Sequence, residues 1–369
     1  MKVLIFGAKS IALGVCEAVR VLYPDTNVMG FLVSSLEGNA RVLAGLPVYE
    51  AGSLAERLSE ADKLAQCVLV AVPEDIHGQI VQILRENGFV NYELIHSRRE
   101  AGLMERYFKR KGRFLSVHEL SCSGELPRIS IYAAKFYRDK PLKHPPCFPD
   151  YVFPLLLGAE LRPDGVCNEK FQCTEGTGAE QFFDNVGVNI SSKNPNYCEM
   201  TGFYWIWKNR LNTDDEYVGL YHYRRMLDIS EDDLRRIKGN DVDVVLSFPT
   251  LHEPDIKEHH GRYIEEKDWQ AMLEAFSELY PQERQAYEEI FSGKYFYNYN
   301  LVIAKKSVFA GYCEWVFPLL ERTEELSTPR GWERGDRYTA YMSESLLTFY
   351  FLYHRSELKI YHTGRLLFT

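Results

Sequence analysis

The chain has 369 residues, of which 46% are hydrophobic and 26% are charged, and its formal net charge is −9. This length predicts two or three domains, and this composition excludes a largely disordered or fibrous chain. The acidic balance argues against a general nucleic-acid binder, and no apolar run reaches the roughly 18 residues that span a bilayer. The eight cysteines form no CxxC pair and no Cys/His cluster, so we expect reduced thiols in a cytoplasmic protein.

The first part of the sequence alternates strands with helices. Strands are predicted at 2–6, 27–34, 46–49 and 67–72, and helices at 11–22, 53–61 and 76–87. Ser53, followed by Glu56, spells a capping box for the second of these helices. This alternation predicts a parallel sheet covered on both faces, so residues 1–126 are expected to form a small doubly wound domain. The boundary is placed in the segment SCSGELP at 121–127.

The glycine loop of this first domain departs from a dinucleotide-binding fingerprint. Gly7 is present, but Lys9 and Ala12 occupy the second and third glycine places, and no acidic residue follows the second strand. NAD binding is therefore disfavoured. The segment resembles the small Rossmann-like domain that precedes sugar-modifying enzymes, which implies a nucleotide-sugar loop at Gly7, Lys9 and Ser10. A structural or regulatory domain with no ligand is the open alternative.

A basic stretch at 98–113 closes the first domain, with seven Lys or Arg residues against two Glu. It predicts either a solvated helix face or a patch that approaches anionic lipid or a lipid diphosphate.

The second part, residues 127–369, predicts a mixed sheet with helices on both faces. Strands are predicted at 129–134, 151–158, 217–221, 242–248, 301–304 and 359–361, and helices at 197–209, 269–279, 282–291, 308–321 and 343–354.

Polar clusters interrupt these elements. The loop 184–194 is rich in Asp, Asn and Ser, which suits either a polyol ligand or a self-capped loop. The strand at 217–221 runs into His222, Tyr223, Arg224 and Arg225, and an Arg pair at a strand end suits a diphosphate or a buried salt bridge. Glu344 is either a partner for the dipole at a helix N-terminus or a carboxylate facing a cleft.

Four segments in order, DNVGVNISSKNPNYCEMTGFYWIWKN, YVGLYHYRR, NLVIAKKSVFAGYCEWVFPLLE and YMSESLL, resemble a domain of bacterial capsular and exopolysaccharide glycosyltransferases. The resemblance spans about 128–369 and implies a GT-A-like nucleotide-sugar fold. The residues that match the family are Lys135, Asp184, Asn189, Lys193, Asn194, His222, Tyr223, Arg224, Arg225, Asn300 and Glu344. Two departures are Ala133-Ala134 in place of a Thr-His turn and Ser345 in place of an Arg.

The resemblance implies an inverting hexosyltransferase that uses a UDP-sugar, with galactofuranose as one candidate. Glu344 is the expected general base, and His222, Arg224 and Arg225 are expected to hold the diphosphate. The 184–194 loop, with Lys135, Tyr223 and Asn300, is expected to bind nucleoside or sugar. The acceptor would be a glycan or a lipid-linked glycan in capsule, exopolysaccharide or lipopolysaccharide assembly, with peripheral contact at the inner membrane face.

A metal site is disfavoured, because Asp241-Val242-Asp243 precedes its strand, whereas metal-binding carboxylates are expected to follow one. We expect the arginine pair to replace Mg²⁺ or Mn²⁺ in neutralising the leaving group. The alternative functions are a non-catalytic nucleotide-sugar sensor or scaffold and, less favoured, an NAD-dependent oxidoreductase.

Overall fold

The computed structural model describes residues 1–162 and 180–369. Two main sheets and one short strand pair organise these residues. No helix within the described ranges is long and apolar enough to cross a membrane. Six described cysteines are free thiols, while Cys167 and Cys173 lie outside the described residues.

The first sheet has six strands in the order β3-β4-β2-β1-β5-β6. Its strands are β1 Lys2–Phe6, β2 Asn27–Val33, β3 Val42–Leu43, β4 Leu46–Glu50, β5 Cys67–Val70 and β6 Tyr92–Leu94. Its helices are α1 Ser10–Leu22, α2 Ala51–Ala55, α3 Glu60–Ala65, α4 His77–Glu86 and α5 Ser97–Lys111. Apart from the short β3–β4 pair, all its strands are parallel.

Helices cover both faces of this sheet because its strands are apolar on both sides. Val3 and Ile5 pack with α1 and α5, whereas Leu4 and Phe6 pack with α2 and α4. The predicted doubly wound arrangement is therefore present.

The capping box predicted at Ser53 is wrong. Helix α2 begins at Ala51, which is buried, so Ser53 lies inside the helix. The next helix, α3, is the one with a side-chain cap, because Ser59 Oγ accepts the Asp62 amide at 3.1 Å. Ser59 and Asp62 have the same three-residue spacing as Ser53 and Glu56, so the motif alone did not distinguish the two sites.

The second sheet has nine strands. They are β7 Ile129–Phe136, β8 Val152–Leu157, β9 Phe182–Phe183, β10 Tyr217–His222, β11 Arg225–Leu227, β12 Val244–Ser247, β15 Val302–Lys305, β16 Ile360–Thr363 and β17 Arg365–Leu367. A separate pair consists of β13 Thr250–Leu251 and β14 Tyr295–Phe296.

The direction of three strands fixes the edge that matters for function. β10 runs parallel to β7, with Tyr217 opposite Ile129 and His222 opposite Ala134. β15 runs antiparallel to β10 on its other side. The ends of β7 and β10 and the beginning of β15 therefore meet at one edge of the sheet.

Helices cover both faces of the second sheet. They are α6 Asn194–Tyr197, α7 Met200–Asn209, α8 Glu231–Gly239, α9 Lys257–His260, α10 Glu266–Leu279, α11 Arg284–Phe291, α12 Lys306–Leu326 and α13 Tyr338–Tyr353. The largest core lies on the side of α7, α10, α12 and α13, and the helix α8 packs on the opposite face.

The two sheets contact each other through α5. Phe108 of α5 stacks on Phe248 with ring centroids 5.6 Å apart, and Glu100 lies 3.9 Å from Arg365. The division into domains at 126/127 falls between the sheets and stays a prediction.

Candidate active site

A cleft of about 660 Å³ opens at the edge where β7 and β10 end and β15 begins. Strand ends, the α6–α7 junction and α13 form its walls. The polar and aromatic side chains that line it include Phe136, Arg138, Asp139, Asn194, Glu199, His222, Tyr223, Arg224, Arg225, His259, Tyr263, Asn298, Tyr299, Arg337, Tyr341 and Glu344. Four of these are arginines, so the cleft is built to receive an anion.

Arg225 is half-buried beside an aromatic ring of the cleft. Its guanidinium lies over the Tyr299 ring at 4.3 Å, and Arg365 lies over the same ring at 4.7 Å. Burial, with Arg365 and Arg224 nearby, lowers the pKa of Arg225. Crowded cations with little solvent are stabilised by an anionic ligand.

Arg224 is already paired, with a carboxylate of the first sheet. Its guanidinium donates to Asp75 Oδ2 at 2.9 Å, and Asp75 lies in the turn after β5. The buried Nε of Arg224 has no hydrogen-bond partner. A phosphate that bound Arg224 would therefore compete with Asp75 for the Nη2 donor. The Nε donor of the same guanidinium is not used by Asp75.

His222 is neutral in this setting. Burial, and then the charge of the adjacent Arg225, lower its pKa to about 3. Its Nε2 is buried without a partner. Burial disfavours the charged ring, so His222 would hold a diphosphate as a neutral hydrogen-bonding group, and its place in the site stays a prediction.

Three carboxylates line the cleft, those of Asp139, Glu199 and Glu344, and Asp139 Oδ2 accepts the Phe136 amide at 2.8 Å. Glu344 is 8% exposed and is the seventh residue of α13, so the interpretation as a dipole partner at the helix N-terminus is wrong. Glu199 accepts the Asn300 amide at 2.8 Å. Burial, and then the charge of Glu344, raise the pKa of Glu199 to about 7.

A backbone break places Glu199 here. The single helix predicted at 197–209 is interrupted, because Cys198 has φ +44° between α6 and α7. Asn194 stabilises the break through its side-chain amide, which donates to the Cys198 carbonyl at 3.0 Å. Asn300, itself at φ +46°, is fully buried and also donates to Ser343 Oγ at 2.9 Å. Asn300 therefore positions Glu199 and α13 rather than projecting freely into the cleft.

Aromatic and histidine side chains close the side of the cleft near Glu344. His259 Nε2 lies 3.7 Å from Glu344 Oε2. Tyr263 stacks on Tyr341 with ring centroids 4.7 Å apart. These rings give an apolar surface beside the carboxylates, which suits contact with a sugar face.

The loop 184–194 supports the site from outside it. Asp184 is 0% exposed and accepts from Gly158 N, Ala159 N, Ser191 Oγ and Thr201 Oγ1 at 2.5–3.0 Å. Asn189 hydrogen-bonds within its own turn, and Lys193 pairs with the buried Glu324 at 2.6 Å. The structure thus gives these three predicted ligands structural partners, while Asn194 lines the cleft.

Lys135 and Tyr223 differ in position. Tyr223 lines the cleft. Lys135 lies on β7 between Ala134 and Phe136, which line the cleft while Lys135 is absent from its lining.

The DxD sequence lies at the far end of β15 from the cleft. Lys305 Nζ contacts Asp241 Oδ1 at 2.6 Å and Asp243 Oδ1 at 2.8 Å, and Asp243 Oδ2 accepts the Lys359 amide. Both carboxylates are thus engaged by protein donors and do not fit a metal role. Within residues 1–162 and 180–369, no group of three His, Cys, Asp or Glu side chains could hold a metal ion.

Comparison with protein families gives a match over residues 154–355 to DUF4422, described as a domain of unknown function. This region holds more than half of the chain, including His222, Asn300 and Glu344. The chain belongs to the DUF4422 family.

A solved structure extends the comparison. The DUF4422 protein described here is similar to the apo structure of WbbM, a bifunctional glycosyltransferase, with 25% identity and a TM-score of 0.52. The match covers 65% of this chain and 45% of the WbbM chain. The predicted α/β fold class, with a glycosyltransferase-like domain, is confirmed, while its assignment to capsular enzymes stays a prediction.

Two other comparisons add no argument. A Rex-family repressor, RSP, matches 30% of this chain and 60% of its own at 12% identity, with a TM-score of 0.23. No curated protein matches.

The residues of the glycine loop of the DUF4422 protein contact other parts of the first domain. Gly7 has φ +122°, and a Cβ there would meet the Ala71 carbonyl at 2.7 Å. Lys9 Nζ donates to the Gly38 carbonyl at 2.8 Å. Ser10 lines a cavity of about 20 Å³, which is the scale of a single water.

Sequence reasoning did not select Glu199, His259 or Arg337. Arg337 has φ +68° immediately before α13. An arginine does not indicate a left-handed backbone conformation, so nothing in the sequence indicated this turn. Glu199 stood inside a predicted helix, and His259 comes from a short helix 85 residues before Glu344. The sequence signal for Glu199 is an acidic residue among aromatic ones, since it stands between Tyr197 and the segment FYWIW at 203–207.

Proposed function

We propose that this chain is a glycosyltransferase that moves a sugar from a nucleoside diphosphate sugar to an acceptor hydroxyl. The observation that carries the proposal is the presence of four arginines together with the carboxylates of Asp139, Glu199 and Glu344 in one cleft of a DUF4422 domain. The likeness to a bifunctional glycosyltransferase supports the same reaction class.

The arginines supply the electrostatic part of the reaction. When the bond between the anomeric carbon and the diphosphate breaks, negative charge grows on the diphosphate oxygens. Arg225, Arg337 and, after release from Asp75, Arg224 are placed to stabilise that charge. The neutral His222 adds a hydrogen bond through its unpartnered Nε2. Because the DxD carboxylates bind Lys305, no step here is routed through a metal.

The carboxylates supply the proton acceptor. The acceptor hydroxyl loses its proton to Glu344, its oxygen forms the new bond to the anomeric carbon, and the diphosphate leaves from the opposite face with inversion. Burial, and then the charge of Glu344, raise the pKa of Glu199 to about 7, so Glu199 binds a proton more readily than an exposed glutamate does.

The finer identity of the substrates belongs to the same proposal. UDP is the proposed nucleotide, galactofuranose a candidate sugar, and a glycan or lipid-linked glycan of capsule, exopolysaccharide or lipopolysaccharide the acceptor. The protein would act in the cytoplasm, with peripheral contact at the inner membrane face.

The test is a donor panel with two readouts on the full chain. UDP, UDP-sugars, other nucleotide sugars and NAD(P)H are compared by thermal shift, and UDP release is measured with glycan acceptors. A UDP-selective shift accompanied by acceptor-dependent UDP release is expected. Binding with no turnover on any acceptor would instead support a nucleotide-sugar sensor, and a shift with NAD(P)H alone would contradict both.

A further inference from the structure

A second groove, larger than the cleft, lies between α11, the end of α13 and β16, and its volume is about 1140 Å³. The segment 297–299 separates the two spaces, since Tyr297 lines the groove while Asn298 and Tyr299 line the cleft. The groove is therefore a distinct site that shares one wall with the cleft.

The floor of the groove is apolar and carries no free charge. Ile290, Leu352, Leu358 and Ile360 are half-buried along it. The buried polar groups below them satisfy each other, because Tyr297 Oη lies 2.8 Å from His362 Nε2. Burial lowers the pKa of His362 to about 4, so this ring is neutral at physiological pH.

The rim of the groove is basic, although the chain as a whole is acidic. Arg113, Lys294, Arg355 and Lys359 line it, against Glu289 as the acidic residue among the lining side chains. In the described ranges, Arg113 and Arg355 form no ion pair with a carboxylate: Arg113 lies over the Tyr295 ring and Arg355 donates to the Leu352 carbonyl. The last turn of α5, with Lys109, Arg110 and Lys111, continues the basic surface toward Arg113.

Two exposed apolar side chains complete the mouth. Leu115 is 52% exposed and Tyr353 is 37% exposed, and both line the groove. A basic rim around an apolar floor, with exposed Leu and Tyr at the opening, is complementary to an amphiphilic anion. An acidic glycan would instead call for amide and hydroxyl partners in place of an aliphatic floor.

We propose that this groove docks the protein on a bilayer by binding an anionic phospholipid. The lipid phosphate would contact Arg113 and Arg355, the first carbons of its chains would lie on the aliphatic floor, and Leu115 and Tyr353 would enter the headgroup region. The inference rests on the groove alone and is independent of the reaction at the cleft.

The test is co-sedimentation of the full chain with phosphatidylcholine vesicles, with and without phosphatidylglycerol. We expect binding only when phosphatidylglycerol is present, weakening as salt rises. Removing two basic residues near such a surface lowers partitioning about 30-fold, so Arg113→Gln with Arg355→Gln should lose most of the vesicle binding. Arg41→Gln with Arg57→Gln, two exposed arginines of the first sheet region, is the matched control and should bind normally.

A second pair of variants separates a lipid from a free phosphate. Leu115→Ser with Tyr353→Ser leaves the charge unchanged, and vesicle binding should fall severalfold. Because the Tyr353 ring also stacks on Phe349, a melting curve of this variant is measured alongside to show that it is folded. If either pair of groove variants bound phosphatidylglycerol vesicles as well as the wild type does, the proposal would be overturned. So would an arginine-dependent thermal shift with inorganic phosphate, or with a soluble acidic polysaccharide, in a protein that does not sediment with vesicles.

Discussion

Arg224 and Asp75 join the two halves of the chain, with Nη2 and Oδ2 2.9 Å apart. Arg224 stands at the end of the cleft strand β10, and Asp75 belongs to the turn that follows β5 of the first sheet. The first sheet thus supplies a carboxylate to Arg224, a residue that lines the cleft of the second sheet. An anionic ligand must share or displace that contact.

Removing this carboxylate is expected to strengthen nucleotide binding. In Asp75→Asn, Arg224 loses its competing anion, so the Kd for UDP should fall severalfold, whereas Arg224→Ala should raise it. Because the two side chains are 24% and 42% exposed, the free energy of unfolding should change by less than about 1 kcal/mol. Calorimetric titration checks the affinity, with Asp25→Asn as an exposed control, and weaker UDP binding in Asp75→Asn would contradict the competition.

Loss of the Glu344 carboxylate is expected to remove turnover while leaving donor binding intact. A positioned general base contributes about 10²–10⁴-fold, so Glu344→Gln should lower kcat within that range. UDP affinity should stay close to the wild-type value, since the arginines are unchanged. Glu314→Gln, an exposed residue of α12, is the matched control. Normal turnover by Glu344→Gln would remove this residue from the mechanism.

Glu199 should make stability fall as pH rises. Its pKa is raised from 4.5 to about 7 in the folded chain, so between these values the folded state binds more protons than the unfolded state. The stability gained from the protonated form is present below pH 4.5 and lost toward pH 7, by at most about 3 kcal/mol. Melting temperatures across this range should decline less in Glu199→Gln than in the wild type. Parallel curves for the two proteins would mean that the Glu199 pKa is ordinary.

Asp184 should matter for stability rather than for ligand binding. An amide cannot accept all four hydrogen bonds that the carboxylate accepts, so Asp184→Asn should cost about 2–4 kcal/mol in the free energy of unfolding. The control Asp214→Asn, on an exposed loop, should cost little. Denaturant titration measures both. A stable Asp184→Asn protein with weakened UDP binding would return Asp184 to the ligand site.

Chelation should leave activity intact. Asp241 and Asp243 both contact Lys305, at the end of β15 away from the cleft. Turnover in EDTA should therefore equal turnover in Mg²⁺ or Mn²⁺. Complete loss in EDTA with recovery on adding Mn²⁺ would require metal ligands other than this pair.

Local patterns were enough to predict most strands and helices and the cluster at the end of β10. Apolar runs with turn residues at their ends located β1, β5 and β10 closely, because such strands are buried whatever surrounds them. The same reasoning began α13 five residues late, at Ser343, because Tyr338–Met342 carries no capping signal. That error left the orientation of Glu344 open.

The remaining site residues depend on partners that are distant in sequence. The ion pair of Lys193 could not be foreseen, because its partner Glu324 lies 131 residues away in the sequence. Asp184 satisfies four donors spread over 158–201, and polar loop composition cannot distinguish such an internal network from a ligand site. Arg224 pairs with a residue 149 positions earlier, in the other sheet. Tertiary placement, rather than propensity, decided each of these cases.

Helix α13 carries Glu344 in the cleft and ends at Tyr353 in the mouth of the groove. Nine residues of α-helix at 1.5 Å each separate the two side chains by about 14 Å along the axis. The helix therefore acts as a fixed spacer between whatever holds the groove and the proposed base. If the groove rests on a bilayer, an acceptor anchored in that bilayer must extend from its surface to Glu344, so the length of the acceptor becomes one determinant of which glycans this cleft can extend.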